Sequence, residues 1–211
     1  MASTLTHLAI AKLYLERQDD KIVDRDAFYL GSFIADYPTE STRGWTQKGF
    51  PRGLYRSIDE SHYGTRAERV DLVKRHKEKI GLAKFLASNK LDNDLNRGKF
   101  LHLYTDWVYY NELLKKDYLQ NLNQPQLWKD NTRTWNHYDA YLLGKYGNLF
   151  DLAPYGKYLQ KTHEMWRKNE SANGNLQYTL EEFEPFIDRM ASADIDKLVL
   201  VVGFEPTLGG F

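Results

Sequence analysis

His102 and Asp106 stand four residues apart in FLHLYTDWVYY, a stretch otherwise made of rings and aliphatic groups. On a helix, side chains at i and i+4 leave the same face, so this pair can aim an imidazole and a carboxylate at one point. Two chemistries fit that arrangement: a pair of ligands for a metal ion, or a His–Asp hydrogen bond satisfied inside a core. The spacing alone does not choose between them.

Other imidazoles and carboxylates sit in comparable surroundings. His7 lies in THLAIA, on the Ile10, Ala11 and Tyr14 side of an apolar segment, and His62 follows Glu60 and Ser61 at the end of a polar stretch. Asp36 closes the apolar run LGSFIAD just before Pro38, where a carboxylate either finds a partner or serves as a cap or turn residue. His76, in KRHKEK, belongs to a solvated charged face; His137 reads as a satisfied interior histidine, and His163 falls between. His7, Asp36, His62, His102 and Asp106 together make an N/O ligand set of the kind zinc accepts, with positions left open for water. Several alternatives are missing from the chain: a Glu-x-x-His pattern, a His-Glu-x-x-His helix, an adjacent His-Asp pair, a Walker-type glycine loop and a Gly-x-Ser-x-Gly elbow.

These residues need elements to position them, and the apolar periodicity predicts helices throughout. Ser3 or Thr4 caps a helix from about 5 to 17 that is apolar most of the way round and therefore central. Asp24 or Asp26 opens a short second helix that stops before Pro38. Residues 37–60, rich in Gly, Pro, Thr and Ser, read as one long irregular loop. Helical patterns return over about 65–89, 94–119, 128–146, 155–167 and 180–190, the last capped by Thr179, with polar breaks at 89–93 and 120–126. The segment 191–211 carries a β-branched run followed by Gly and Pro and is left unplaced. The expectation is an all-α fold, a multi-helix bundle with one long loop, in a single helical domain over residues 1–211.

Bulk properties narrow the functions. The chain has 211 residues, 42% of them hydrophobic and 14% aromatic, enough for a sizeable core. Lys plus Arg and Asp plus Glu balance at 29 each, so the overall charge favours no nucleic-acid partner. With no cysteine, disulfides, thiol nucleophiles and Cys-type zinc sites are excluded. No apolar run approaches the ~20 residues that cross a bilayer. The first residues lack a basic region followed by an unbroken apolar run, which makes a cytoplasmic location the expectation and leaves the oligomeric state open. Between positions 43 and 56, RGWTQKGFPRGLYR offers Arg43, Lys48, Arg52 and Arg56 with no acidic residue and with interleaved rings, a candidate for holding a phosphate-bearing substrate. Trp107, Tyr109 and Tyr110 read as packing around the ligand pair.

Four short motifs occur in order: THLAIA near the start, FYLGSFIAD at 28–36, SHY at 61–63 and FLHLYTDW at 100–107. This series, spread over about the first 110 residues, resembles the zinc-dependent phospholipase C family. The resemblance implies an all-α fold and hydrolysis of phosphodiesters or phosphomonoesters through a metal-bound water, with a small phosphate ester or a phospholipid head group as substrate. It further implies that Asp36, His62 and His102 hold one zinc, and that Asp106 bridges to a second zinc also held by His7. Asp36 or Asp106 would take the proton from the attacking water. The family's third site has no counterpart, since Glu112 stands where a further histidine belongs and no His has Glu four residues on. One or two zinc ions are therefore expected.

Overall fold

The computed structural model describes residues 2–38, 54–64, 80–114, 124–167 and 174–204. Every regular element in them is helical, and the only strand-like feature is one antiparallel bridge between Tyr63 and Ile80. The all-α expectation holds. The helices are α1 (Thr4–Arg17), α2 (Arg25–Ile34), α3 (Ile58–Ser61), α4 (Leu82–Ser88), α5 (Asp94–Val108), α6 (Gln124–Tyr146), α7 (Gly156–Arg167), α8 (Leu180–Ala191) and α9 (Ile195–Phe204).

Helix starts follow local chemistry. Ser3, Asp24, Asn93 and Thr179 each accept a backbone N–H of the first turn through the side chain, and Thr179 with Glu182 completes a reciprocal capping box. The Asp94 carboxylate also accepts the backbone N–H groups of Val23 and Asp24, which fastens the start of α2 to the start of α5. α1 is central as expected: Leu5, Leu8, Ala9, Ile10, Ala11, Tyr14 and Leu15 are all buried.

α2 and α5 pack backbone against backbone. A Cβ built on Gly31 would lie 2.3 Å from the Leu95 carbonyl oxygen, and one built on Gly98 would lie 2.2 Å from that of Phe28. Two glycines at the crossing let the backbones touch, where any side chain would hold them apart. Phe28, Phe33 and Phe100 fill the core on either side of this contact, and Tyr14 stacks on Phe28.

Several expectations from the sequence are corrected. The stretch 37–60 is not irregular throughout, because Ser57 caps the short helix α3; residues 39–53 lie outside the described residues. Of the helix expected over 65–89, the described part is helical only from Leu82, since Ile80 bridges to Tyr63 instead. The helix expected to reach 119 is regular only to Val108; it continues as one wider turn, in which the Leu114 N–H donates to the Tyr109 carbonyl, and Leu114 is extended. α6 begins at Gln124, inside the expected polar break, and the unplaced C-terminal segment forms α9, with Leu200 and Val201 exposed. Among the described residues no helix is long and apolar enough to cross a membrane.

Candidate metal centre

Four elements bring the five chemistry-bearing residues together. His7 comes from the first turns of α1, His102 and Asp106 from successive turns of α5, and His62 caps the C-terminal end of α3. Asp36 follows α2 in a tightened turn, its N–H donating to the Phe33 carbonyl at 3.1 Å and that of Tyr37 to Ile34. Asp36 is therefore a turn residue by backbone and a cluster residue by side chain.

Ligand atoms of Asp36, His62, His102 and Asp106 all lie within 4.8 Å of one another. His62 Nε2 is 3.2 Å from Asp106 Oδ2, 3.7 Å from Asp36 Oδ1 and 3.2 Å from His102 Nε2. His102 Nε2 is 3.8 Å from both Asp36 Oδ1 and Asp106 Oδ2. Bonds of ~2.0–2.2 Å at tetrahedral angles separate ligand atoms by about 3.3–3.6 Å, which the His62 and His102 distances of 3.2–3.8 Å bracket. His7 approaches the other oxygen of each carboxylate, with Nε2 3.4 Å from Asp106 Oδ1 and 3.8 Å from Asp36 Oδ2. Both carboxylates thus face His62 and His102 with one oxygen and His7 with the other. The rings of His7 and His102 stack with centroids 3.9 Å apart.

The hydrogen bonds behind the rings fix their tautomers. His102 Nδ1 lies 2.8 Å from the Ser32 carbonyl, and His62 Nδ1 lies 3.0 Å from the Ile58 carbonyl. A carbonyl only accepts, so each Nδ1 carries the proton and each Nε2 presents its lone pair to the cluster. Ser61 Oγ donates to the Ile58 carbonyl and accepts from His62 Nδ1 at 2.8 Å, which reinforces the assignment. The two Nε2 atoms then oppose lone pairs at 3.2 Å in a buried space, beside two carboxylates. Such an arrangement calls for positive charge at its centre. One proton satisfies one of these acceptors, whereas a divalent cation satisfies all of them.

Burial sets the protonation of the cluster. His102 is held neutral, its pKa well below the usual imidazole range, because burial opposes the charged ring and His7 adds to the effect. The Asp36 carboxyl is pushed up to about 6, first by burial and then by the charge of Asp106. Burial also works against ionisation of Asp106, but the amino-terminal charge and the neighbouring imidazoles outweigh it and hold this carboxyl well below the usual range. Asp106 Oδ1 also accepts the Ala2 N–H at 2.8 Å. Among the described residues His7 Nε2 and Asp36 Oδ1 are buried with no hydrogen-bond partner, as befits atoms directed at an ion. The donor set fits a divalent metal ion.

Of the other candidates, Arg56 is exposed, and its backbone N–H donates to Glu60; Arg43, Lys48, Arg52 and His76 lie outside the described residues. His137 is exposed beside the Tyr138 ring, which corrects its reading as an interior histidine: the apolar side of α6 is turned by Tyr138 and Leu142, one residue out of phase. His163 bonds Asp139 at 2.9 Å, and the other Asp139 oxygen accepts the Ser3 hydroxyl, so this pair steadies the start of the helix that carries His7. Tyr109 is buried and Trp107 partly so, in keeping with a packing role. No residue pattern marks Ser32, Ile58 and Ala2 as supports, because each acts through its backbone. Ser61, next to His62, was the one support with a side chain to notice. Compared with protein-family models, with curated proteins and with solved structures, the chain matches none of them.

Proposed function

We propose that this protein is a metal-dependent phosphoric-ester hydrolase of the phospholipase C-like type, with zinc as its ion. One observation carries the reading: five residues picked out by ordered motifs across about 100 positions converge on one point, with His62 and His102 turning lone pairs toward two carboxylates. Asp36, His62, His102 and Asp106 would hold one ion, and His7, with the second oxygen of each carboxylate, leaves room for another. A bound divalent ion supplies Lewis acidity, which acidifies water and offsets charge on phosphate oxygens. The chain's own residues do the rest. Ser32 and Ile58 keep the imidazoles in the ligating tautomer. Asp36 is the least buried ligand, with its side chain 10% exposed, so substrate reaches the cluster from its side. As the carboxylate nearest solvent, Asp36 would be the one placed to accept a proton from water. Arg56, with Arg43, Lys48 and Arg52, remains the candidate set for the substrate's charge, and the substrate class is a small phosphate ester or a phospholipid head group.

A second reading is favoured by the near-complete enclosure of His7, His62, His102 and Asp106: a non-catalytic helical module with a structural metal site or buried polar network. Metal analysis and a panel of phosphomonoesters, phosphodiesters and phospholipids, run with wild type, His102→Ala and Asp106→Ala, separate the two. The hydrolase reading expects about one or two zinc ions per chain and turnover lost in both variants. Bound zinc without turnover of any ester leaves the structural reading, and activity that persists in both variants sinks the proposed site.

A further inference from the structure

Immediately after the ligand His62 the chain turns back, and it does so through a residue that resists the turn. Tyr63 has φ 54°, in the left-handed region, and among the described residues only Tyr155, with φ 62°, shares that property without being glycine. The Tyr63 N–H donates to the Glu60 carbonyl and the Gly64 N–H to the Asp59 carbonyl, each at 3.2 Å. These two nested bonds close the end of α3 in a loop whose left-handed position is ordinarily glycine. Glycine would form the same bonds without pressing a Cβ against the following carbonyl oxygen. A tyrosine here has to be held in place by its side chain.

That side chain reaches across to α4. Its ring meets the Phe85 ring edge-on with centroids 5.3 Å apart, and its hydroxyl accepts the Asn89 side-chain amide at 3.1 Å, just past the end of α4. The backbone is fastened on the same side: Tyr63 bridges to Ile80, and the His62 carbonyl accepts the Gly81 N–H at 2.8 Å. Gly81 comes so close that a Cβ on it would stand 2.1 Å from the Tyr63 carbonyl oxygen. Phe85 in turn meets Phe100 of α5 at 6.2 Å, two residues before His102. Tyr63 is thus the joint between the helix that ends at His62 and the helix that carries His102 and Asp106. Of the four residues of α3 only Ser61 is buried, so this single turn has little packing of its own to fix where it ends. His62 Nε2 stands 3.2 Å from both Asp106 Oδ2 and His102 Nε2, and a shift of about 1 Å would take it out of reach of an ion bound at ~2.0–2.1 Å.

We propose that Tyr63 is a positioning residue of the metal centre, its ring and hydroxyl holding His62 against His102 and Asp106 at the expense of a strained backbone. The inference rests on the metal-centre reading and is independent of which ester is cleaved. Tyr63 acts through His62 and touches neither ion nor substrate.

The test measures zinc affinity by chelator competition and the visible absorption of the cobalt(II)-loaded protein, for wild type, Tyr63→Phe, Tyr63→Gly and Tyr155→Gly, with urea unfolding of each metal-free protein. Tyr63→Phe keeps the ring and should bind zinc within about fivefold of wild type, because one neutral hydrogen bond contributes little. Tyr63→Gly relieves the backbone but releases His62, so zinc affinity should weaken about tenfold or more and the cobalt absorption should change in intensity as an imidazole leaves the ion. Tyr155→Gly makes the same backbone change just before α7, which bears no ligand, and should leave both metal readouts at wild-type values whatever it does to stability. Tyr63→Gly with wild-type zinc affinity and cobalt absorption overturns the positioning role, and so does an equal loss of affinity in Tyr155→Gly. A wild type that binds neither zinc nor cobalt overturns the metal-centre reading and this inference with it. Should Tyr63→Gly fail to fold, Tyr63→Leu, which keeps apolar bulk without the ring edge or hydroxyl, decides by the same two metal readouts.

Discussion

Replacing Gly31 by alanine tests the link between helix packing and the metal cluster without touching any ligand. The new Cβ would stand 2.3 Å from the Leu95 carbonyl oxygen and 2.8 Å from the Lys99 nitrogen, both backbone atoms that no rotamer change can move. Restoring ordinary contact at about 3.4 Å separates α2 from α5 by roughly 1 Å. Ser32 and Asp36 travel with α2, while His102 and Asp106 stay on α5. The 3.8 Å between His102 Nε2 and Asp36 Oδ1 would then approach about 4.8 Å, well beyond the ~3.6 Å that a four-coordinate ion spans. Overpacking costs about 1–3 kcal/mol, from which alanine's better helix propensity recovers up to ~1 kcal/mol. At about 2–4 °C per kcal/mol for a chain of this size, Tm should fall by up to roughly 10 °C. Zinc affinity, followed by competition with a chromophoric chelator, should weaken at least about tenfold. Gly144→Ala is the control: nothing lies within 4 Å of its Cβ on the exposed side of α6, so it should raise Tm slightly and leave zinc binding unchanged. Gly31→Ala protein with wild-type zinc affinity and Tm would refute the claim that this crossing sets the cage.

The remaining predictions concern protons, ligands and caps. The folded Asp36 carboxyl, raised from 3.8 to about 6, keeps a proton that the unfolded chain releases, so its contribution to metal-free stability is present below pH ~4 and fades as pH rises through ~6. Zinc must displace that proton, and calorimetry at pH 5 in two buffers of different ionisation enthalpy should show close to one proton released per ion, falling toward zero by pH 7.5; no release at pH 5 would contradict the assignment. His102 acts in the opposite sense: neutral when folded, it leaves the unfolded chain the better proton acceptor below pH ~6.5, so metal-free His102→Gln should lose less stability on acidification than wild type, as urea titrations at pH 7.5 and 5 would register. Ser3→Ala removes both the cap of α1 and the tie to Asp139 and should cost about 1–2 kcal/mol in urea unfolding; a loss below ~0.3 kcal/mol would show that neither bond matters.

Much of the fold was legible because it is written locally. Apolar periodicity and capping residues such as Ser3, Asp24 and Thr179 marked helix starts to within a residue or two. Errors fell where tertiary contacts outweigh propensity. Helix α5 stops being regular at Val108 although residues beyond it favour a helix, and Ile80 pairs with Tyr63 although its neighbours read as helical. The segment around 200 has a β-branched run yet forms α9, since no strand is present among the described residues to pair with it.

The candidate ligands were also visible in the sequence, as His and Asp in places where a polar group is costly to bury. By itself the sequence determined the types of donor, the i, i+4 pair on α5 and the helices that carry them. The tertiary structure decided that the donors meet, because Gly31 and Gly98 let two backbones come within contact and set Asp36 opposite His102. It also decided which nitrogen of His62 and His102 faces the cluster, through the Ile58 and Ser32 carbonyls. Every residue carries a carbonyl, so no sequence pattern marks the two that matter; only the path of the chain selects them.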